Sequence, residues 1–182
     1  MNTSDSKSNL KSFFETRGIR FDMDPDEVDV ELQKILPPRR FTKYQKAAYT
    51  RAYEGSRTNE IYQAMATRVE ANTLVSQQAE VYLDTNAAIF KAMEPYLTSG
   101  KTVWEMGCMN GICAEWLAET HPEIRVNAVD KVGQVLRDAA NQNSLENLEY
   151  ISWDYSKRFP RTEFHEADVI YMCSSVGNQQ KW

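Results

Sequence analysis

The chain has 182 residues, 42% of them hydrophobic and 26% charged, with 7 glycines and a formal net charge of -5. That length makes one large domain or two small ones, able to bury a core without disulfide or metal staples. The low glycine content disfavours a turn-dense all-β chain, and the acidic balance argues against a protein devoted to non-specific nucleic-acid binding.

Residues 1–20 begin with the polar run MNTSDSKSN and read as a partly disordered lead with no apolar signal-peptide core. Between Asp22 and Glu31 lie six acidic residues, and Pro37-Pro38 stops the short helix that Leu32, Ile35 and Leu36 suggest. Arg39, Arg40, Lys43, Lys46, Arg51 and Arg57 follow, interleaved with Phe41, Tyr44, Tyr49 and Tyr53. Basic plus aromatic is the composition of a nucleic-acid contact. The simpler reading is an amphipathic helix with a solvated basic face, ended by Gly55, with the acidic run as its internal partner. Ile61, Met65 and Val69 keep helical spacing, as do Val75, Ala79, Tyr82, Asn86, Ile89, Met93 and Leu97. Residues 20–98 are therefore expected to hold three to five helices and no strand.

At residue 102 the pattern changes. Thr102 to Met106 is a short β-prone run. A helix follows with Ile112, Cys113, Trp116 and Leu117 on one side, ended by His121-Pro122. Residues 124–130 form a second strand, and Val132, Val135, Leu136, Ala139 and Ala140 the apolar face of a second helix. Residues 148–154 form a third strand. Residues 167–176 form a fourth, almost free of charge, as a strand buried on both faces would be. Strand–helix–strand–helix–strand order predicts right-handed crossovers and a doubly wound parallel α/β sheet.

In such a sheet ligands bind beyond the carboxyl ends of the strands. Strand one ends in Glu105-Met106-Gly107-Cys108-Met109-Asn110-Gly111, strand two at Asp130, strand three at Asp154 and strand four near Cys173. Each feature alone has a structural explanation: Gly107 and Gly111 as turn glycines, Asp130 and Asp154 as helix caps. Their joint placement is harder to reach by chance. A dinucleotide fingerprint places a glycine where Met109 stands, so a nucleotide pyrophosphate, and with it a nicotinamide-dependent oxidoreductase, is disfavoured. A nucleoside without pyrophosphate fits better, with an acid to take the ribose hydroxyls. A cationic ligand would be favoured by the carboxylates around it.

The run Glu105-x-Gly107-Cys108-x-x-Gly111 after a strand, with Asp130 and Asp154 at the next two strand ends, resembles the class I S-adenosylmethionine-dependent methyltransferases over residues 101–177. The resemblance implies a Rossmann-like fold and S-adenosylmethionine as cofactor. It implies a cofactor set of Glu105, Met106, Gly107, Cys108, Met109, Gly111, Asp130, Lys131, Val132, Trp153, Asp154, Tyr155 and Cys173. Glu105 would face the methionyl amino group. The amides from Gly107 to Gly111 and the helix behind them would face its carboxylate. Asp130 would hold the ribose and Asp154 the adenine amino group, with Lys131 and Val132 at the adenine edge. No catalytic base and no metal is implied. The fourth strand continues as Cys173-Ser174-Ser175-Val176 and lacks the Asn/Asp-Pro-Pro-Tyr signature of members acting on DNA bases or glutamine. A small-molecule acceptor is expected.

Residues 21–100 are then expected to form a helical cap or lid, with Tyr44, Tyr49, Tyr53 or Tyr82 reaching the pocket, and residues 101–182 the cofactor-binding half of a longer seven-stranded family fold. Three readings follow: a fragment or short isoform, a chain whose strand-four edge is covered by a second copy or a partner, or a non-catalytic interaction module. No apolar run nears the ~20 residues of a membrane span. Three cysteines without a CxxC pair point to reduced thiols and a cytoplasmic location.

Overall fold

The computed structural model describes residues 3–54, 58–154 and 166–173. The lead expected to be partly disordered contains a helix, α1 (Thr3–Thr16). Its polar composition concealed one apolar edge: Leu10, Phe13 and Phe14, at i, i+3 and i+4, are all buried. They pack with Ile19, Val75, Leu83, Ile112 and Cys113. Gly18, at φ 88, turns the chain out of α1 while Ile19 N–H donates to Phe14 O at 3.0 Å.

Five α-helices occupy the described residues between 25 and 93: α2 (Pro25–Ile35), α3 (Pro38–Glu54), α4 (Thr58–Tyr62), α5 (Arg68–Val75) and α6 (Ala79–Met93). Two of their starts are written in the chain as reciprocal caps. Asp24 accepts from Glu27 N–H, and Asp24 N–H donates back to Glu27, with Pro25 at the first turn. Thr67 and Glu70 repeat the device for α5. The basic run finds a different partner from the expected acidic one. Arg40 closes on Glu70 with two bonds of 2.5 and 2.8 Å, which helps hold the Glu70 carboxyl below its usual range despite burial. The acidic run is engaged elsewhere, by Arg20 on Asp22, Lys34 on Glu31 and Tyr44 on Asp29. Gly55, the expected end of the basic helix, lies outside the described residues.

The carboxyl-terminal part is an α/β unit: β1 (Thr102–Met106), α7 (Ile112–Thr120), β2 (Arg125–Asp130), α8 (Gly133–Gln142), β3 (Leu148–Ser152) and β4 (Val169–Tyr171). The strands pair in parallel in the order β3-β2-β1-β4, a Rossmann-like arrangement. Along β1 the side chains alternate. Val103 joins the core under α7 and α8, while Trp104 and Met106 join Val129, Ile151 and Trp153 on the opposite face. The fourth strand is not covered on both faces. As the outer strand of the described sheet it leaves Ile170 46% and Met172 39% exposed.

The helical layer shares its core with the sheet unit. Val132 and Val135 of α8 pack among Val28, Leu32, Tyr44 and Leu74. Polar groups reinforce the join. Glu115 of α7, buried, takes Arg17 at 2.9 and 3.0 Å and also pairs with the buried Arg68. An ion pair this deep fixes orientation more than it adds net stability, because its Coulombic gain is offset by desolvation. No helix among the described residues is long and apolar enough to cross a membrane.

Candidate functional site at the carboxyl ends of the strands

Strand order reverses at β1. The chain moves outward from β1 through β2 to β3, then returns to pair β4 on the other side of β1. The crevice beyond the carboxyl ends is centred where β1 divides these two directions. The residues gathered there are the β1–α7 loop, the end of β2, the end of β3 and the end of β4.

The β1–α7 loop folds tightly. Gly107, Met109 and Gly111 have φ of 76, 51 and 69. Gly111 is the position that tolerates nothing larger. A Cβ there would stand 2.4 Å from Cε1 of Tyr150 on β3. Gly111→Ala is expected to cost about 2–3 kcal/mol, through left-handed strain plus displacement of a packed ring. Urea unfolding measures it, and a loss below 0.5 kcal/mol, on the order of a surface change, would show that Tyr150 moves freely. Met109 occupies the left-handed region without being glycine. Its side chain packs with the α1 cluster.

The loop amides are committed inside the protein. Gly107 and Cys108 donate to Val129 O at 2.8 and 3.0 Å, Gly111 to Cys108 O at 2.9 Å, and Met109 to Asp130 Oδ2 at 2.9 Å. An anion cradle made of these four N–H groups, as the resemblance implied, is not present in this conformation.

Two carboxyl groups stand at the ends of the two central strands, in contrasting environments. Asp130 is 8% exposed and bridges the loops: Oδ2 takes Met109 N–H, and Oδ1 takes Val132 N–H at 2.9 Å. Burial raises its pKa, and the backbone donors pull against that rise. Glu105 is 2% exposed and faces Tyr171 across the β1–β4 pairing. Among the described residues, its Oε2 and the Tyr171 Oη beside it have no hydrogen-bond partner beyond one another. No cation acts on it among the described residues. Burial pushes its pKa up to about 8, with only partial relief from Tyr171 and the backbone at Ala114, and with Asp130 adding to the rise. A buried carboxyl left in this condition is costly to the fold and calls for an explanation.

The remaining expected residues fall into two sets. Lys131, Trp153 and Asp154 are half-buried at the ends of β2 and β3, and Trp153 N–H donates to Asp130 O at 2.9 Å. Val132 and Cys173 are buried at the same end. Met106 and Cys108 also lie there in sequence, but their side chains belong to the cores below, so only their backbone can face a ligand. Tyr155 lies outside the described residues. Burial pushes the Cys108 and Cys113 thiols up, which agrees with their reading as packing residues. Of the candidate cap tyrosines, Tyr82 reaches the loop side, 3.2 Å from Cys113 Sγ. Tyr44 is buried between Asp29 and Gln77, Tyr49 is 65% exposed, and the Tyr53 side chain is outside the described residues.

No family model matches the chain, and no curated protein matches it. Among solved structures it is similar to coclaurine N-methyltransferase bound to N-methylheliamine and SAH, at 16% identity and a TM-score of 0.35. The match covers 87% of this chain and 48% of that one, so the chain spans about half the length of that protein. A likeness this distant assigns no residue a role; the site is read from its own chemistry.

Two asparagines that the sequence reading passed over belong to the site. Asn110, fully buried in the loop, donates to Asn72 Oδ1 on α5 at 2.8 Å, and its own Oδ1 takes Ile112 N–H. Asn72 in turn donates to Arg17 O. This relay locks the loop against α1 and α5. Its members lie far apart in the chain, and an isolated asparagine carries no periodic signal.

Proposed function

We propose that the chain binds S-adenosylmethionine beyond the carboxyl ends of β1, β2 and β3, as the cofactor-binding part of a methyltransferase acting on a small-molecule nucleophile. The observation that carries this reading is Glu105: a buried carboxyl with no cationic partner among the described residues, at the point where strand order reverses. Such a group is suited to a ligand that brings positive charge, and this cofactor carries an ammonium and a sulfonium. When bound, S-adenosylmethionine supplies an electrophilic methyl group.

The chain's own residues would have simple tasks. Glu105 would hold the amino group. Each Asp130 oxygen retains a lone pair after accepting one amide, enough to take a ribose hydroxyl. Lys131, Val132, Trp153 and Asp154 would surround the base. Because the loop amides are already engaged, the reading rests on the two acids and not on a glycine cradle. For methyl transfer the protein would contribute alignment and exclusion of water.

A binding-only module is the second reading. Tyr82, Cys113 and Tyr171, the groups near Glu105, all have raised pKa values, which disfavours each as a base at neutral pH. Calorimetric titration of the chain tests the shared step. Micromolar affinity for S-adenosylmethionine, lowered at least ~100-fold in Asp130→Ala by loss of a charged acceptor pair, supports binding. No heat from the cofactor or its demethylated product rejects both readings. Transfer of tritiated methyl into a cell extract then separates enzyme from module.

A further inference from the structure

One face of α6 points three side chains at the sheet in succession: Tyr82, Asn86 and Phe90, at i, i+4 and i+8. Tyr82 Oη meets Cys113 on α7, and the Phe90 ring lies 6.1 Å from the Tyr171 ring on β4. Asn86, midway between them, is therefore directed at the ground between α7 and β4, where Glu105 stands next to Tyr171 in register. Asn86 is fully buried. Its amide group donates to Tyr82 O at 2.8 Å, leaving Oδ1 with no partner among the described residues. Glu105 Oε2 and Tyr171 Oη have none beyond one another.

Three buried oxygens on three elements with no partner beyond one another are uncommon in a folded core, where nearly all buried polar atoms are bonded. Once Glu105 ionises, its carboxylate and the amide oxygen only accept, while the phenol can do either. No basic side chain reaches Glu105 among the described residues: Arg68 and Arg17 are held by Glu115, and Lys131 is half-buried at the end of β2. The set has the composition of a receptor for a nitrogen cation with several N–H donors.

We infer that Asn86 and Tyr171 are binding residues which complete the Glu105 subsite, and that the three oxygens together receive a primary ammonium group. Neither residue belongs to the strand-end motifs. This inference rests on the proposed cofactor reading and assigns residues to its amino end.

The test compares two probes on the full chain by calorimetry: S-adenosylmethionine, and 5′-methylthioadenosine, which has the nucleoside but no ammonium. In Asn86→Ala and in Tyr171→Phe the affinity for S-adenosylmethionine is expected to fall ~10-fold or more, as loss of one hydrogen bond to a charged group does. Affinity for 5′-methylthioadenosine is expected to change less than ~2-fold, the usual reach of a change that touches nothing of the ligand. Equal losses for both probes, or none for either, would overturn the inference and leave the cofactor reading standing. A wild-type chain that binds neither probe would overturn both. Tyr171→Phe, the smaller change, keeps the test open if Asn86→Ala fails to fold.

Discussion

Replacing Glu105 by glutamine is expected to make the protein more stable at pH 9 by about 5 kcal/mol, and to change it little at pH 4.5. The reason is the carboxyl's position on β1. In the folded chain its pKa is about 8, against 4.5 ordinarily. A raised carboxyl favours folding below its unfolded pKa, where it is neutral in both states. That advantage drains away as pH rises from 4.5 to 8, because the folded state must then bury a charge that water would solvate. Glutamine never ionises, so the difference between variant and wild type grows through this window and levels off above it. Chemical denaturation of both proteins at several pH values measures the difference directly and cancels all groups they share. An equal increment at every pH would mean that folding does not raise the Glu105 pKa. The same substitution is expected to abolish binding of S-adenosylmethionine. A residue whose removal stabilises the fold while ending its binding is one retained for the ligand.

The second large effect concerns protons. Below pH 8 the empty site holds Glu105 neutral, and a cationic ligand needs it ionised. Binding should therefore release a proton from Glu105. Affinity for S-adenosylmethionine is expected to rise by up to ~10-fold per pH unit below about 8 and to flatten above it. Titration at pH 6.5 in two buffers of different ionisation enthalpy counts the protons released. Close to one more is expected from the wild type than from any residual binding by Glu105→Gln, and fewer still with 5′-methylthioadenosine. A wild-type affinity that is flat across pH 6–8 would remove Glu105 as the cation's partner. The direction is diagnostic, because a site built on an already ionised acid would show no such slope.

Much of this arrangement was legible in the chain itself. The strands β1, β2 and β3 and the helices between them follow from apolar runs and turn residues, with ends within about two residues of those expected. Glu105, Asp130 and Asp154 stand at strand ends because strand–helix–strand order alone places them there. Helix α1 was not legible. Leu10, Phe13 and Phe14 offer a single turn of apolar residues within a polar stretch, and such a stretch becomes a helix only when another surface covers that turn. Strand β4 was read as longer and doubly covered. Of residues 167–176, 174–176 lie outside the described residues; in the rest the strand is Val169–Tyr171 with Ile170 exposed, because an apolar run records the tendency to be buried and not the presence of a cover.

The amino-acid sequence by itself determined the class of fold, the order of its elements and the acids at the strand ends, since these depend on neighbours a few residues apart. Only the tertiary structure decided what those acids experience. Asp130 became a bracket between Met109 and Val132, and the glycine-bearing loop spent its amides internally. Glu105 became a buried group short of a partner, with Tyr171 paired beside it from 66 residues later. Whether a carboxyl is solvated, bracketed or orphaned depends on every element packed against it, and that sum is taken only when the chain has folded.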